Sequence, residues 1–273
     1  MSAERAIIGG VVCSRRSIGL QLRRLGVQEG ALVLVHSSLS NLGYVIGGAQ
    51  AVVLALCDAV GRTGTLVMPA HSSDWSDPSQ WEHPPVPVEW HQTIRDEMPA
   101  FDPLLTPTRA MGAVVECFRH LPGVRRSAHP SVSFIAYGPH AGAVVDGHEL
   151  ADGLGEKSPL ARLYDLDASV LLLGVGHANN TSLHLAEYRS DAAKRWISQS
   201  AAVMIDDERT WATWSELEGN VDDFEMLGRD FAATGQERTG QIGAATAYLM
   251  RQRVLVDFAS EWFGHHRPGT APH

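Results

Sequence analysis

Short apolar runs alternating with amphipathic stretches constrain this chain more than any other feature, because that order is the habit of α/β proteins. Ala31-Leu-Val-Leu-Val-His36 has the length and branching of a buried strand. Residues 37–43 follow as a polar loop. Residues 49–60 carry helical spacing closed by Gly61, and Thr65-Leu-Val-Met68 is a second buried strand stopped by Pro69. The three form a βαβ unit, preceded by a helix over 17–25 and a break at 26–30. Such units bind ligands beyond the carboxyl ends of their strands. His36-Ser37-Ser38 and Pro69-Ala-His71-Ser-Ser-Asp74 occupy those ends.

From 72 to 107 the pattern changes. This stretch holds seven of the fourteen prolines together with Trp75, Trp81 and Trp90. A loop of that length is uncommon in a compact domain and is usually functional or disordered. Its tryptophans favour a packed excursion over a site. Alternation then resumes, with helices expected over 111–119, 159–165 and 182–189 and strands over 132–137 and 169–174. In the C-terminal third, strands are expected over 201–205 and 210–217, and helices over 222–234, 244–250 and 255–263. Residues 1–16 read as a flexible segment, 17–265 as one α/β domain, and 266–273 as a disordered tail.

Lys+Arg total 22 against 31 Asp+Glu, a formal charge of -9. That balance argues against a duplex nucleic-acid binder, which presents a basic face to phosphate; it either aids solubility alone or suits a cationic substrate. Cys13, Cys57 and Cys117 are odd in number and far apart, so no disulfide framework is expected and a reducing compartment fits. No apolar run approaches the ~18–20 residues of a membrane span. The N-terminal segment reads poorly as a signal peptide, leaving the cytoplasm as the expected location.

The strongest local signal for chemistry is Gly174-Val-Gly-His-Ala-Asn-Asn-Thr-Ser-Leu-His184-Leu-Ala-Glu187. A buried strand runs into a glycine-relaxed turn, and Thr181 or Ser182 is placed to cap the following helix. His184 and Glu187 sit three apart, on one helix face. Two readings stand side by side: a surface His with an i,i+3 partner, or a general base polarised by a carboxylate. His177, in the turn, is the weaker candidate.

The thirteen histidines do not make a metal site by spacing, since no HExxH is present and no thiol neighbours His177 or His184. No GxSxG elbow or SxxK motif supports serine chemistry, and Cys57 and Cys117 fall on apolar helix faces. There is no Walker or Rossmann fingerprint. The acidic run Ser215-Glu-Leu-Glu218-Gly-Asn220-Val-Asp222-Asp223 is either a solvated loop or, beside a cleft, a cation-binding rim.

Taken in order, His36-Ser-Ser-Leu-Ser40, Gly64-Thr-Leu-Val-Met-Pro69, Thr106-Pro-Thr-Arg-Ala-Met-Gly112, Arg126-Ser-Ala-His-Pro130, Ser158-Pro-Leu-Ala-Arg162, Leu171-Leu-Leu-Gly-Val-Gly176 and Asn180-Thr-Ser-Leu-His-Leu-Ala-Glu187 resemble the bacterial aminoglycoside 3-N-acetyltransferase family of antibiotic-resistance enzymes. The resemblance implies acetyl transfer from acetyl-CoA, as co-substrate and without a metal, to the 3-amino group of a 2-deoxystreptamine aminoglycoside. It implies a three-layer α/β/α arrangement around a mixed central sheet. His184 would then act as base, with Glu187 orienting it. His36, Ser37, Ser38 and Leu39, with Thr108, Arg109 and Met111, would lie along the CoA arm. His71, Asp74, Trp75, Glu218, Asn220 and Asp222 would meet the sugar. A homodimer is a candidate assembly. A different amine metabolite as acceptor, on the same fold and with the same donor, remains the alternative.

Overall fold

The computed structural model describes residues 10–267; the expectations for 1–9 and 268–273 lie outside that range. The first described element is β1 (Val12–Cys13), followed by α1 (Arg15–Leu25). Ser14 caps α1, accepting from the Ser17 N–H while the Ser17 hydroxyl accepts from the Ser14 N–H. This reciprocal box satisfies two donors that a helix start leaves free. Residues 12–16 thus belong to regular structure, where the sequence suggested a flexible lead.

The βαβ unit forms as expected from β2 (Leu32–Ser37), the short β3 (Tyr44–Val45), α2 (Gly48–Val60) and β4 (Thr65–Pro69). The excursion contains α3 (His91–Glu97), and after it come α4 (Gly112–Arg119), β5 (Arg125–Arg126) and β6 (Phe134–Tyr137). Then α5 (Ala141–Val145), α6 (Pro159–Asp165), β7 (Ser169–Leu173) and α7 (Ser182–Arg189) lead to a long hairpin, β8 (Trp196–Ile205) and β9 (Glu208–Leu217). The chain closes with α8 (Phe224–Ala233), β10 (Arg238–Ile242), β11 (Ala245–Arg251) and α9 (Gln252–His266).

Seven strands make one mixed sheet in the order β10-β11-β7-β2-β4-β6-β5. β2 is central and runs parallel to both β4 and β7, while the remaining pairings are antiparallel. Period-two alternation divides the strand side chains between two cores. Val33, Val35, Leu66, Met68, Leu171 and Leu173 pack with α1, α2 and α4 on one face. Leu32, Leu34, Val67, Val170 and Leu172 pack with α5 to α9 on the other. Each such side chain, fully buried, contributes roughly 1.5–3 kcal/mol. The result is the three-layer α/β/α arrangement around a mixed sheet.

One expected helix is a strand. The expected helix 244–250 falls instead on the turn residue Ala244 and on β11 (Ala245–Arg251), which is hydrogen-bonded on both sides, to β7 and to β10. Ala245, Ala247 and Leu249 alternate into the first core, and Thr246 and Tyr248 point the other way. Alanine, leucine and methionine favour helices in isolation, but two sets of ladder bonds decide the outcome.

The excursion is fastened at both ends by Arg126, whose buried guanidinium donates to the carbonyls of Ala70 and Thr106 and to the hydroxyls of Ser72 and Ser133. It lies along the β8–β9 ribbon, where the Phe101 N–H donates to Ala202 O (2.9 Å) and Gln80 Nε2 to Ser198 O (3.0 Å). The ribbon turns at Asp206-Asp207, both at positive φ (50° and 64°), as a two-residue hairpin of the primed type requires.

Candidate active site

Three parallel strands deliver three imidazoles to one end of the sheet. His36 is the penultimate residue of β2, His71 follows β4, and the turn after β7 leads into α7, which carries His184. Gly174 makes that turn at φ +72°, a conformation L side chains rarely adopt. The helix is capped by the Asn180 side chain, whose Oδ1 accepts from the Ser182 N–H (3.2 Å); Thr181 contributes no cap bond, and its hydroxyl lies 3.4 Å from His36 Nε2.

His184 Nδ1 is 2.6 Å from Glu187 Oε2, and the carboxylate is almost wholly buried. A carboxylate only accepts, so the contact is one that a proton on Nδ1 makes, and Nε2 is the ring nitrogen not engaged by Glu187. The second oxygen, Glu187 Oε1, accepts from the Asn220 N–H (2.9 Å) and from Arg267 Nη1. Gly219 passes so close that a Cβ there would stand 2.7 Å from His184 Cε1, so the loop can cover the ring only as glycine. Burial, and secondarily the His184 charge, push both His36 and His71 down to about 3, which keeps them neutral beside the dyad.

His184 opens onto a cleft of about 1050 Å³. His71 and His184 line it, together with Asp74 and Trp81 of the excursion, Arg109 just after it, Ile197, Gln199 and Glu216 of the ribbon, and Glu218 just past β9. Of the residues the sequence proposed for the acceptor, the fold brings His71, Asp74 and Glu218 together here. Trp75, Asn220 and Asp222 are not among its lining residues, although the Asn220 N–H reaches Glu187 of the dyad. The Trp75 indole donates to Pro99 O (3.0 Å), and Asn220 Oδ1 accepts from the exposed Asp222 backbone (2.9 Å). Of those proposed along the CoA arm, only Arg109 lines this cleft, paired with Asp74 at 3.6 Å. Thr108 is bonded to Glu116, and Leu39 and Met111 pack on the first core. Ser38 lines a separate groove of about 600 Å³ with Asn41, Gly174 and Gly176 at the same strand ends, and the buried Ser37 hydroxyl has no hydrogen-bond partner among the described residues. His177 is buried against Glu237 (2.8 Å), a loop-fixing role.

Sequence reasoning missed Glu216 and Arg267. The register Ile197↔Glu216 and Gln199↔Trp214 puts Glu216 on the ribbon face turned to the cleft, in a segment that also reads as a solvated loop. Burial pushes its carboxyl up to about 7, only partly offset by the Trp214 indole N–H. Between about 4.5 and 7 the folded protein keeps a proton that the unfolded chain releases, so this group's contribution to stability is lost as pH rises through that window. Glu216→Gln is therefore expected to match the parent at pH 4 and to exceed it at pH 8 by on the order of 2 kcal/mol, read as a Tm several degrees higher. Equal Tm values at pH 8 would reject the buried, protonated state.

These features coincide with a known family. The family model for aminoglycoside 3-N-acetyltransferase matches residues 34–264. The SPbeta prophage-derived aminoglycoside N(3')-acetyltransferase-like protein YokD of Bacillus subtilis (strain 168) is 45% identical over 251 residues, 92% of each chain. Its crystal structure superposes with a TM-score of 0.94, at 42% identity over 96% of this chain and 98% of that one. Aminoglycoside N(3)-acetyltransferase VIII of Streptomyces fradiae is 37% identical, covering 98% of this chain and 96% of the relative. The structure of AAC-IIIb in binary complex with CoASH gives a TM-score of 0.84 at 30% identity, over 96% of this chain and 100% of that one. The chain belongs to the aminoglycoside 3-N-acetyltransferase family. Among its described residues no helix is long and apolar enough to cross a membrane.

Proposed function

We propose that this chain acetylates the 3-amino group of a 2-deoxystreptamine aminoglycoside, using acetyl-CoA, by direct attack in a ternary complex. The observation that carries the reading is the His184–Glu187 pair at 2.6 Å, with Nε2 unpaired among the described residues and the ring on a cleft edged with carboxylates. An amine attacks a thioester only when neutral. His184 Nε2 takes the amine proton as the N–C bond forms and the C–S bond breaks; the sulfur leaves and is protonated as the CoA thiol. Glu187 stabilises the imidazolium that results. The Ser37 hydroxyl, buried at the end of β2 and without a partner among the described residues, would serve as donor to the carbonyl oxygen as charge develops there. The glycine-lined groove beside Ser38 suits the close approach of a CoA chain.

A second reading keeps the donor and changes the acceptor to another amine. The pairing of Glu218 with Arg195 and of Asp74 with Arg109 favours it, since these acids already have cationic partners. Both pairs are exposed, however, and exposed pairs are worth only about 0–1 kcal/mol, so a polycationic sugar can displace them. The first reading stands.

Released thiol, measured with acetyl-CoA across aminoglycosides and simpler amines, tests both. Turnover is expected with 2-deoxystreptamine compounds, giving a product acetylated at the 3-amino nitrogen. Turnover confined to other amines selects the second reading, and no thiol from any amine ends both. Joint replacement of Cys13, Cys57 and Cys117 by serine or alanine is expected to leave kcat within about threefold, because direct transfer uses no acyl-cysteine. An acetylated protein isolated on the reaction path would refute direct transfer.

A further inference from the structure

We infer that Arg267 is a positioning residue for acetyl transfer, acting through Glu187 on His184; the inference rests on the reading of His184 as base. Arg267 follows α9, 80 residues from Glu187 in sequence, yet its guanidinium is committed on every side. Nη1 donates to Glu187 Oε1. Nε and Nη2 take both oxygens of Asp223, at 2.8 and 2.6 Å, and Nη2 also donates to Asn220 O at 2.7 Å. The plane lies over the Phe263 ring, 3.9 Å from its centroid. Asn220 thereby grips the pair from both ends of one residue, its N–H on Glu187 and its carbonyl on Arg267.

The arrangement answers an electrostatic need. Glu187 is a buried carboxylate, and its imidazole partner can serve as base only in the neutral form. Unscreened, it would favour the protonated imidazole and remove the lone pair the reaction uses. A planar guanidinium fork holds that charge and fixes the carboxylate's orientation, which a point-charge ammonium does less well. The other groups around the dyad do not replace it. His36 and His71 are neutral, Asp223 adds negative charge, and across the cleft stand Glu216 and the pairs Glu218–Arg195 and Asp74–Arg109.

The test compares the full chain with Arg267→Gln and Arg267→Lys, reading kcat and KM from pH 5.5 to 9, together with Tm. Arg267→Gln is expected to lower kcat at pH 7 about tenfold with a smaller change in acceptor KM. The acidic limb of its profile should move to higher pH by about half to one unit. Arg267→Lys is expected to restore the limb while kcat stays severalfold low. Removal of 268–273 should leave all three readouts unchanged, and removal of 267–273 should reproduce Arg267→Gln. A lowered Tm with kcat and the limb unmoved would make Arg267 a staple for α9 and overturn the inference. Should Arg267→Gln fail to fold, Arg267→Lys decides: reduced kcat at unchanged KM supports positioning, and parental kcat overturns it. Full activity in a His184→Ala variant instead brings down the reading of the base, whatever Arg267 does.

Discussion

His184→Ala is expected to lower kcat by a factor on the order of 10²–10⁴ while CoA binding persists. That factor corresponds to about 3–5 kcal/mol of transition-state stabilisation. The ring is fixed from three directions: Nδ1 is tied to Glu187, the Gly219 backbone covers Cε1, and Phe224 lies 5.1 Å away centroid to centroid. On the proposed mechanism, a base held this way needs little reorganisation when the amine arrives, and an alanine in its place leaves water to take the proton. The ring is partly exposed and stands beyond the strand ends, so its removal should shift Tm little. The measurement is steady-state kcat beside CoA affinity by calorimetry. Near-parental kcat would reject His184 as base, and loss of CoA binding would show that the residue builds the donor site instead.

The second large effect is acid lability. Burial pushes His36 and His71 down to about 3, His129 to about 4, and His148 well below its ordinary value. Geometry explains two of these. His129 Nδ1 accepts from the N–H groups of Ser131 and Val132 (3.2 and 3.1 Å), while Nε2 donates to Leu150 O. His148 Nε2 donates to Gly153 O (2.7 Å), leaving Nδ1 to accept from the Ser127 hydroxyl. Protonating either ring breaks accepted bonds, and the rings lie only 4.7 Å apart, so two charges would repel. The unfolded chain takes up protons at all four near pH 6.5 and the folded chain refuses them. Their contribution is therefore fully present above 6.5 and is lost as pH falls toward 3–4. Glu216 works oppositely between about 4.5 and 7, so the net uptake is about three protons, or about 4 kcal/mol per pH unit at its steepest. Against a typical total of about 5–15 kcal/mol, unfolding should set in near pH 5. Urea titrations at pH 7, 6 and 5 check this, and stability unchanged from 7 to 5 would contradict the buried neutral histidines.

The sheet and the dyad were readable from local pattern because their determinants are local. Branched apolar runs mark β2, β4 and β7, Pro159 and Asp165 bound α6, and the spacing of His184 and Glu187 puts them on one face before any tertiary contact is known. What escaped depends on distant partners. Residues 244–250 have helix-favouring composition and became β11 only because β7 and β10 flank them. Arg267 fell within an expected tail, since nothing near it in sequence announces Glu187 or Asp223. Glu216 and Glu218 sit two apart in one acidic run, and only the ribbon's register makes the first a buried acid and the second an exposed one. Asn220 shows the same limit from the other side: its Oδ1 stays within its own loop, on the Asp222 N–H, while its backbone reaches Glu187 and Arg267, partners that no local pattern names.

His71 and His184 of the cleft lie just beyond the sheet and on α7, whereas most of the rest of its lining comes from two stretches, 73–110 and 197–219, with Ser131, Val132 and Leu154 between them. Reactivity and recognition are therefore carried by separable pieces of chain. On the proposed function, exchanging those two stretches for counterparts from a relative is expected to change which amine is accepted while leaving the His184–Glu187 pair in place.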